Sequence, residues 1–489
     1  MSPTRTFLFL LLCAAGLFAS CLKDEDYTLS PSDVLAFSTD TVAFDTIISG
    51  TPTSTYSFTV YNHASKAVRI PQVRLASGAA SPFKVNVDGT PLSGGEAADF
   101  EIASHDSMVV WLMANVPEAD SDLPVYAEDK LLFTTEAGVE QEVVLTASGQ
   151  TVVTLTGHRV SEPTVFRSPR PYLIMDSLVV EAGQTLVLDA GTRLWFHPGA
   201  SLVVHGSLQM MGTLGRPVVL RGDRMGDMFT NQPYDRIPGQ WGGVVLAGDS
   251  YDNYFSYADI HSGAWGVRVD SSDVARTKLV MENSVVHNTT GHGLDIRMAQ
   301  VYVGNSQLSN AGGDCLHIRG GDVTLVHTTI ARFYVFTGGK GVALDFANYD
   351  GSIRLPIHSL QLANCIVTGY QNDEIMGSQN KDNPDDAFNY AFFNCLINTP
   401  PTEEKDQRLV DCLWDVDDGT AAPGDTVYIR EKNFTPAPDL DRLVFSFELD
   451  ARSKAVGTAN AEITATTYPL DRLGRPRKQK PDMGCLSTR

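Results

Sequence analysis

A tandem period constrains this chain more than any other feature. Asn283-Ser284-Val285-Val286, Asn305-Ser306-Gln307-Leu308 and His327-Thr328-Thr329-Ile330 stand 22 residues apart. The element returns after longer spacings at Asn364-Cys365-Ile366-Val367 and Asn394-Cys395-Leu396-Ile397. A second marker interleaves with it: Gly266-Val267-Arg268-Val269, Gly293-Leu294-Asp295-Ile296, Asp314-Cys315-Leu316-His317-Ile318 and Gly341-Val342-Ala343-Leu344. A coil of that length holds three short strands and three turns, and stacked coils make parallel sheets whose apolar side chains each neighbouring coil seals. The expected architecture is a right-handed parallel β-helix over residues 166–489, with insertions and a C-terminal segment that covers the end coil. The asparagines are expected to bond along the stack, and the Ser284, Ser306, Thr328, Cys365, Cys395 series to form an inward column.

Upstream, Ser177-Leu178-Val179-Val180, Gln184-Thr185-Leu186-Val187-Leu188 and Ser201-Leu202-Val203-Val204 alternate between glycines in the same manner. Residues 34–150 have a different texture. Tyr56-Ser57-Phe58-Thr59-Val60, Phe83-Lys84-Val85-Asn86-Val87, Met108-Val109-Val110-Trp111-Leu112 and Glu142-Val143-Val144-Leu145 alternate at sandwich-like spacing with turn residues between them. About seven strands in that length predict an immunoglobulin-like β-sandwich. The chain is therefore expected to be all-β, a sandwich followed by a β-helix.

Residues 1–20 carry one positive charge, Arg5, and an apolar run too short to span a bilayer, the pattern of a cleaved signal peptide. The run ends in Leu17-Phe18-Ala19-Ser20-Cys21, which resembles the bacterial lipobox and implies acylation of Cys21 and a hold on outer-membrane lipid. Residues 21–33 read as an acidic linker. Its Lys23-Asp24-Glu25-Asp26 resembles the surface-export signal of Bacteroidetes lipoproteins, which implies a lipid-anchored, surface-exposed protein of the outer membrane. The net charge of −21 argues against nucleic acid as partner and leaves glycans, proteins of the outer membrane or surface, and cations. Cys315, Cys365, Cys395, Cys412 and Cys485 are too widely spaced for a CxxC-type metal or redox motif and read as packing residues.

From residue 166 onward, with Pro238-Gly239-Gln240-Trp241-Gly242-Gly243 ahead of the regular coils and Pro481-Asp482-Met483-Gly484-Cys485 at the close, the chain resembles right-handed β-helix proteins of the pectate-lyase-like superfamily. That resemblance implies polysaccharide lyase or glycoside hydrolase chemistry as one reading, which must be argued from residues rather than fold. The catalytic candidates are Asp295, Asp314, His292 and Lys340: Asp295 and Asp314, with Asp345, fall near corresponding positions of adjacent coils, on one face with His292, His317 and Lys340. Hydrolysis needs an acid and a base carboxyl facing one bond, and Gly313 stands where the resemblance would place a second aspartate. The same row reads as the polar face any solenoid presents.

No metal or cofactor is firmly indicated. Calcium is the cation considered, through the acidic insertion of Asp373, Glu374, Asp382, Asp385 and Asp386, although its spacing is not that of an EF-hand loop. For glycan binding the candidates are Phe229, Tyr234 and Asp235 of the insertion at 223–240, with Tyr251 and Tyr254 soon after, because insertions on solenoids mark working faces. Trp241 reads as core. The favoured function is non-catalytic display of a β-helix that binds glycan or protein within an outer-membrane assembly. The alternative is a lyase or hydrolase acting on uronate-containing glycans.

Overall fold

The computed structural model describes residues 26–229, 231–336, 340–401, 406–416, 433–436 and 438–489. The chain divides into two compact units, residues 1–151 and 152–489. Cys21, Lys23, Asp24 and Glu25 lie outside the described residues. Asp26 is described, and its carboxylate meets the Lys66 ammonium at 2.7 Å.

The first unit has two five-stranded sheets. One is ordered 36–37, 56–61, 107–114, 83–87 and 90–91. The other is ordered 41–48, 140–150, 125–134, 68–75 and 96–102. All pairings are antiparallel except that of Thr41–Ile48 with Glu140–Gln150, which is parallel. Alternation decides which face is inward: in Ser107–Ala114, Met108, Val110, Leu112 and Ala114 are buried, and Trp111 points outward. Ten strands form where about seven were expected, because two-residue edge segments such as Ala36–Phe37 and Thr90–Pro91 also pair.

The second unit is a parallel β-helix with three walls. One 11-stranded sheet forms the third wall, and a 17-stranded sheet folds over a corner to supply the first and second. Strands Leu294–Gly304 and Leu316–Val326 are each 11 residues long and run unbroken through both of those walls. Register stacks like on like. In the first wall Leu178, Leu202, Val244, Val267, Leu294, Leu316, Leu344 and Ile375 form one inward column. Each such buried side chain contributes about 1.5–3 kcal/mol, and the column exists only because neighbouring coils cover each other. In the adjacent column Phe346 is followed by Gly377, where a Cβ would lie 2.7 Å from the Phe346 ring.

The recurring Asn and His sit at the corner between the second and third walls, and each has a left-handed backbone, with φ of 53° at Asn283, 49° at Asn305, 47° at His327, 55° at Asn364 and 49° at Asn394. Asparagine tolerates that conformation, so the backbone accounts for the repeat as much as the side chain does. Side-chain bonds along the stack also form: Asn305 Nδ2 donates to Asn283 Oδ1 at 2.8 Å. The residues that follow make the inward column. Ser284, Ser306 and Thr328 donate to the carbonyl two residues earlier, and Cys365 and Cys395 repeat that contact through sulfur at 3.3 Å. The five cysteines are free and buried.

Two expectations are corrected. Stacking starts before residue 166: Val153–Leu155, Arg159–Val160 and Thr164–Phe166 already pair with the next coil. Strands this short give no periodic signal. Where an end cover was expected, the described residues of the C-terminal segment run along a flank of the β-helix. Phe434, Phe447, Leu449, Ala455, Met483, Cys485 and Leu486 pack on the outward side of Ala331, Phe333, Ile366 and Leu396, along the flank of the third wall. Further along, Tyr468 Oη reaches Glu282 Oε1 at 2.6 Å, Arg477 Nη2 reaches Asn305 Oδ1 at 2.8 Å, and Asn460 N donates to Asn364 Oδ1 at 2.7 Å. The segment is a lateral strap over several coils.

Candidate functional site

Outward positions of the first wall place Arg268, Asp295, His317 and Asp345 in one row, because these residues are in register from coil to coil. His292 and Asp314 sit at the corner that leads into the wall. His317 Nδ1 lies 2.7 Å from Asp295 Oδ1, and His292 Nδ1 lies 3.1 Å from Asp314 Oδ2. The two imidazoles stack at 4.1 Å. Three of the four weak catalytic candidates therefore converge. Lys340 is exposed at the same corner one coil further on, where its backbone N–H donates to Gly312 O at 3.1 Å. His317 completes the group.

Burial would raise the Asp295 carboxyl, but its hydrogen bond to His317 and the nearby imidazoles hold it below the ordinary range. Asp314 is opposed by burial in the same way and is held low by His292 and by the Val342 N–H, which it accepts at 2.8 Å. Burial lowers His292, yet the Asp314 contact and charge leave it raised. Asp345 is bound by both terminal nitrogens of Arg319, at 3.1 and 2.9 Å. Arg297 pairs with Asp350, and Arg268 with Asp270 at 2.9 Å. The face is thus a set of closed ion pairs and ionised carboxylates.

The expected aromatic platform is divided. Phe229 and Tyr234 belong to the insertion between the third and first walls, where Tyr234 takes the Arg224 guanidinium at 5.0 Å from its ring centroid. Tyr254 lies on the second wall and bonds Glu282 at 3.0 Å, and Tyr251 precedes that strand and carries Arg276 at 4.5 Å. Residues close in sequence land on different walls, since a strand and a corner lie between them. Asp235 lies against the outer surface of the third wall: its Oδ1 meets His261 Nε2 and Arg221 Nη1, each at 2.7 Å. Burial would raise this carboxyl, and His261 and Arg221 bring it down to about 2. Trp241 is core, stacked on Phe196 at 4.2 Å with its indole N–H on His261 O at 2.8 Å.

The acidic insertion does not assemble a calcium cage. Glu374 is fully buried and accepts Ala343 N and Gln371 N, each at 2.8 Å. Asp386 is taken by Arg354, Asp373 accepts Ile375 N at 3.2 Å, and Asp382 and Asp385 are exposed. Among the described residues, the groups of three with metal-ligand types and mutual reach are instead His292, Asp314 and His317, and Asp259, His261 and His287. The second was missed in the sequence. Its signal was present as Asp259 and His261 two apart on one strand, with His287 in register one coil later.

No protein-family model matches this sequence, and no curated protein matches it. Solved structures overlap with parts of it. A family 123 glycoside hydrolase from Clostridium perfringens is 11% identical, with 23% of each chain covered and a TM-score of 0.18. The VesB protease of Vibrio cholerae is 15% identical over 24% of this chain and 32% of its own, also at 0.18. The periplasmic chaperone SfaE is 11% identical over 24% and 60%, at 0.18. This chain spans about a quarter of the length of the hydrolase, and overlaps at these TM-scores carry no argument about function.

Proposed function

We propose that this protein is a lipid-anchored, surface-exposed lipoprotein of the outer membrane whose β-helix binds glycan or a partner protein on the polar face of its first wall, without turnover. One observation carries the non-catalytic reading. Asp295 Oδ1 lies 2.7 Å from His317 Nδ1, and Asp314 is engaged by His292 Nδ1 at 3.1 Å and by the Val342 N–H at 2.8 Å, so neither carboxyl stands free as the acid of the acid–base pair that glycoside hydrolysis requires. The anchored location rests on Leu17 to Cys21 and the acidic residues after it. The acidic balance agrees with a partner other than nucleic acid.

A lyase or hydrolase acting on uronate-containing glycans is the second reading. It draws on His292, whose side chain is 35% exposed and whose pKa is raised beside Asp314, the character of a proton donor or acceptor. Incubation with uronate polysaccharides separates the two. Binding without release of unsaturated or reducing ends supports the first reading. Release that is abolished by Asp314→Ala establishes the second. Anchoring is checked by Cys21→Ala, which is expected to leave the membrane fraction.

A further inference from the structure

Away from that face, the outer surface of the third wall brings two coils and the 223–240 insertion together around three side chains. Asp259 and His261 project from strand Ala258–His261, and His287 projects from Val285–Thr289, with His261 and His287 in register. His261 Nδ1 lies 2.9 Å from Asp259 Oδ1, and His287 Nε2 lies 3.2 Å from the same oxygen. A tetrahedral ion with bonds of about 2.0–2.2 Å holds its ligand atoms about 3.3 Å apart; two of the separations here, 2.9 and 3.2 Å, are close to that, and the ligand atoms of the three residues all lie within 4.8 Å of one another. Two imidazole nitrogens with one carboxylate oxygen are a borderline-soft set suited to zinc-class ions, not to calcium, which takes six to eight oxygens.

A second observation is independent of the ligand atoms. Metal-bound histidines characteristically donate their other ring N–H to a carboxylate, which fixes the tautomer. His261 Nε2 meets Asp235 Oδ1 at 2.7 Å, and Asp235 is itself held by Arg221 at 2.7 Å. The insertion that brings Asp235 there is pinned by Asn288 Nδ2 donating to Arg236 O at 3.0 Å. His261 is 6% exposed, whereas His287 and Asp259 are 24% and 37% exposed. The inner ligand is sheltered, and the outer side is open to a fourth ligand from solvent.

We propose that Asp259, His261 and His287 bind one divalent transition-metal ion of the zinc class, with Asp235 as the outer carboxylate that orients His261 and one coordination position left open. The site uses none of the residues assigned to the first-wall face, so it stands or falls separately from that reading.

The test is titration of full-length, detergent-purified protein with Co2+, followed by the visible absorption of tetrahedral cobalt and by competition with Zn2+. One equivalent is expected to bind with tetrahedral bands that Zn2+ abolishes. His287→Ala, at the more exposed of the two histidines, is expected to lose the bands with the thermal melt of the protein retained. Asp235→Asn is expected to weaken binding about 10–100-fold. His292→Ala, in the other histidine cluster, is expected to leave the bands unchanged. Failure of the unaltered protein to bind Co2+ overturns the proposal, as do bands that survive His287→Ala or vanish in His292→Ala.

Discussion

Acid is expected to loosen the lateral strap before it unfolds the walls, and His327 is the residue responsible. This ring is fully buried at a corner position where Asn283, Asn305, Asn364 and Asn394 stand in neighbouring coils. Its Nδ1 lies 3.3 Å from Gly484 O, and its Nε2 lies 2.8 Å from Thr464 Oγ1 and 3.1 Å from Asn364 Nδ2. The amide nitrogen of Asn364 is a donor, so Nε2 is needed as an acceptor, and a protonated ring would oppose it. Burial, with the Arg477 guanidinium adding to it, pushes this imidazole well below its usual 6.5. The folded state therefore keeps His327 neutral while the released chain protonates near 6.5. The released state binds more protons as pH falls below 6.5, so stability falls with it over the window below that pH, by at most about 1.4 kcal/mol per pH unit. Most carboxylate losses begin lower, near pH 4, and are shared by any variant compared.

The comparison is His327→Asn, which suits the left-handed backbone and the bonding of the flanking Asn305 and Asn364 to the strap, at Leu470 O and Asn460 O, but does not titrate. Protection of the strap amides against hydrogen exchange, corrected for the intrinsic pH dependence of exchange, reads the local opening free energy. The unaltered protein is expected to lose protection more steeply than His327→Asn over that window. Equal slopes would refute the argument.

Gly341→Ala is expected to cost about 3 kcal/mol or more in thermal or urea unfolding, since its Cβ would lie 2.1 Å from the Gly313 backbone and the coils would have to part; a change within about 0.5 kcal/mol would contradict that packing. Arg319→Met leaves the Asp345 carboxylate, 13% exposed, without its bidentate partner, and a loss of about 2 kcal/mol is expected after allowing for the remaining solvent contact. Unaltered stability in urea titration would show that the pair contributes nothing. In the native protein the five body cysteines are expected to resist a maleimide until denaturant is added, because all are buried and burial pushes the Cys315 thiol up to about 12; rapid labelling of Cys365 or Cys395 in the folded state counts against the inward column.

The repeat was legible because stacking writes itself into sequence wherever a position recurs with one conformational demand, as at Asn283, Asn305 and Asn364. Two things were illegible for one reason, that they are contacts without a period. The coil beginning at Val153 has strands of two or three residues, too short for alternation to register. The strap follows no coil, and its landing places at Glu282, Asn305 and Asn364 cannot be counted from its own composition. In the candidate sites, His292, Asp295 and Asp314 were found through register, whereas Tyr234 and Tyr251 were grouped by closeness in sequence. In a solenoid, neighbours in space are one coil apart, and neighbours in sequence separate around a corner. His261 and His287 obey that rule and could have been found by it.

The strap also gives the β-helix a direction in time. Coils stack through neighbours about two dozen residues away and can assemble progressively as chain emerges, but Arg477 to Asn305, Tyr468 to Glu282 and Arg236 to Arg442 join residues 172, 186 and 206 positions apart. Closing loops of that length is slow compared with adding a coil. The strap residues therefore complete the unit: without them, Phe333, Ile366 and Leu396 would form an uncovered apolar stripe on the third wall.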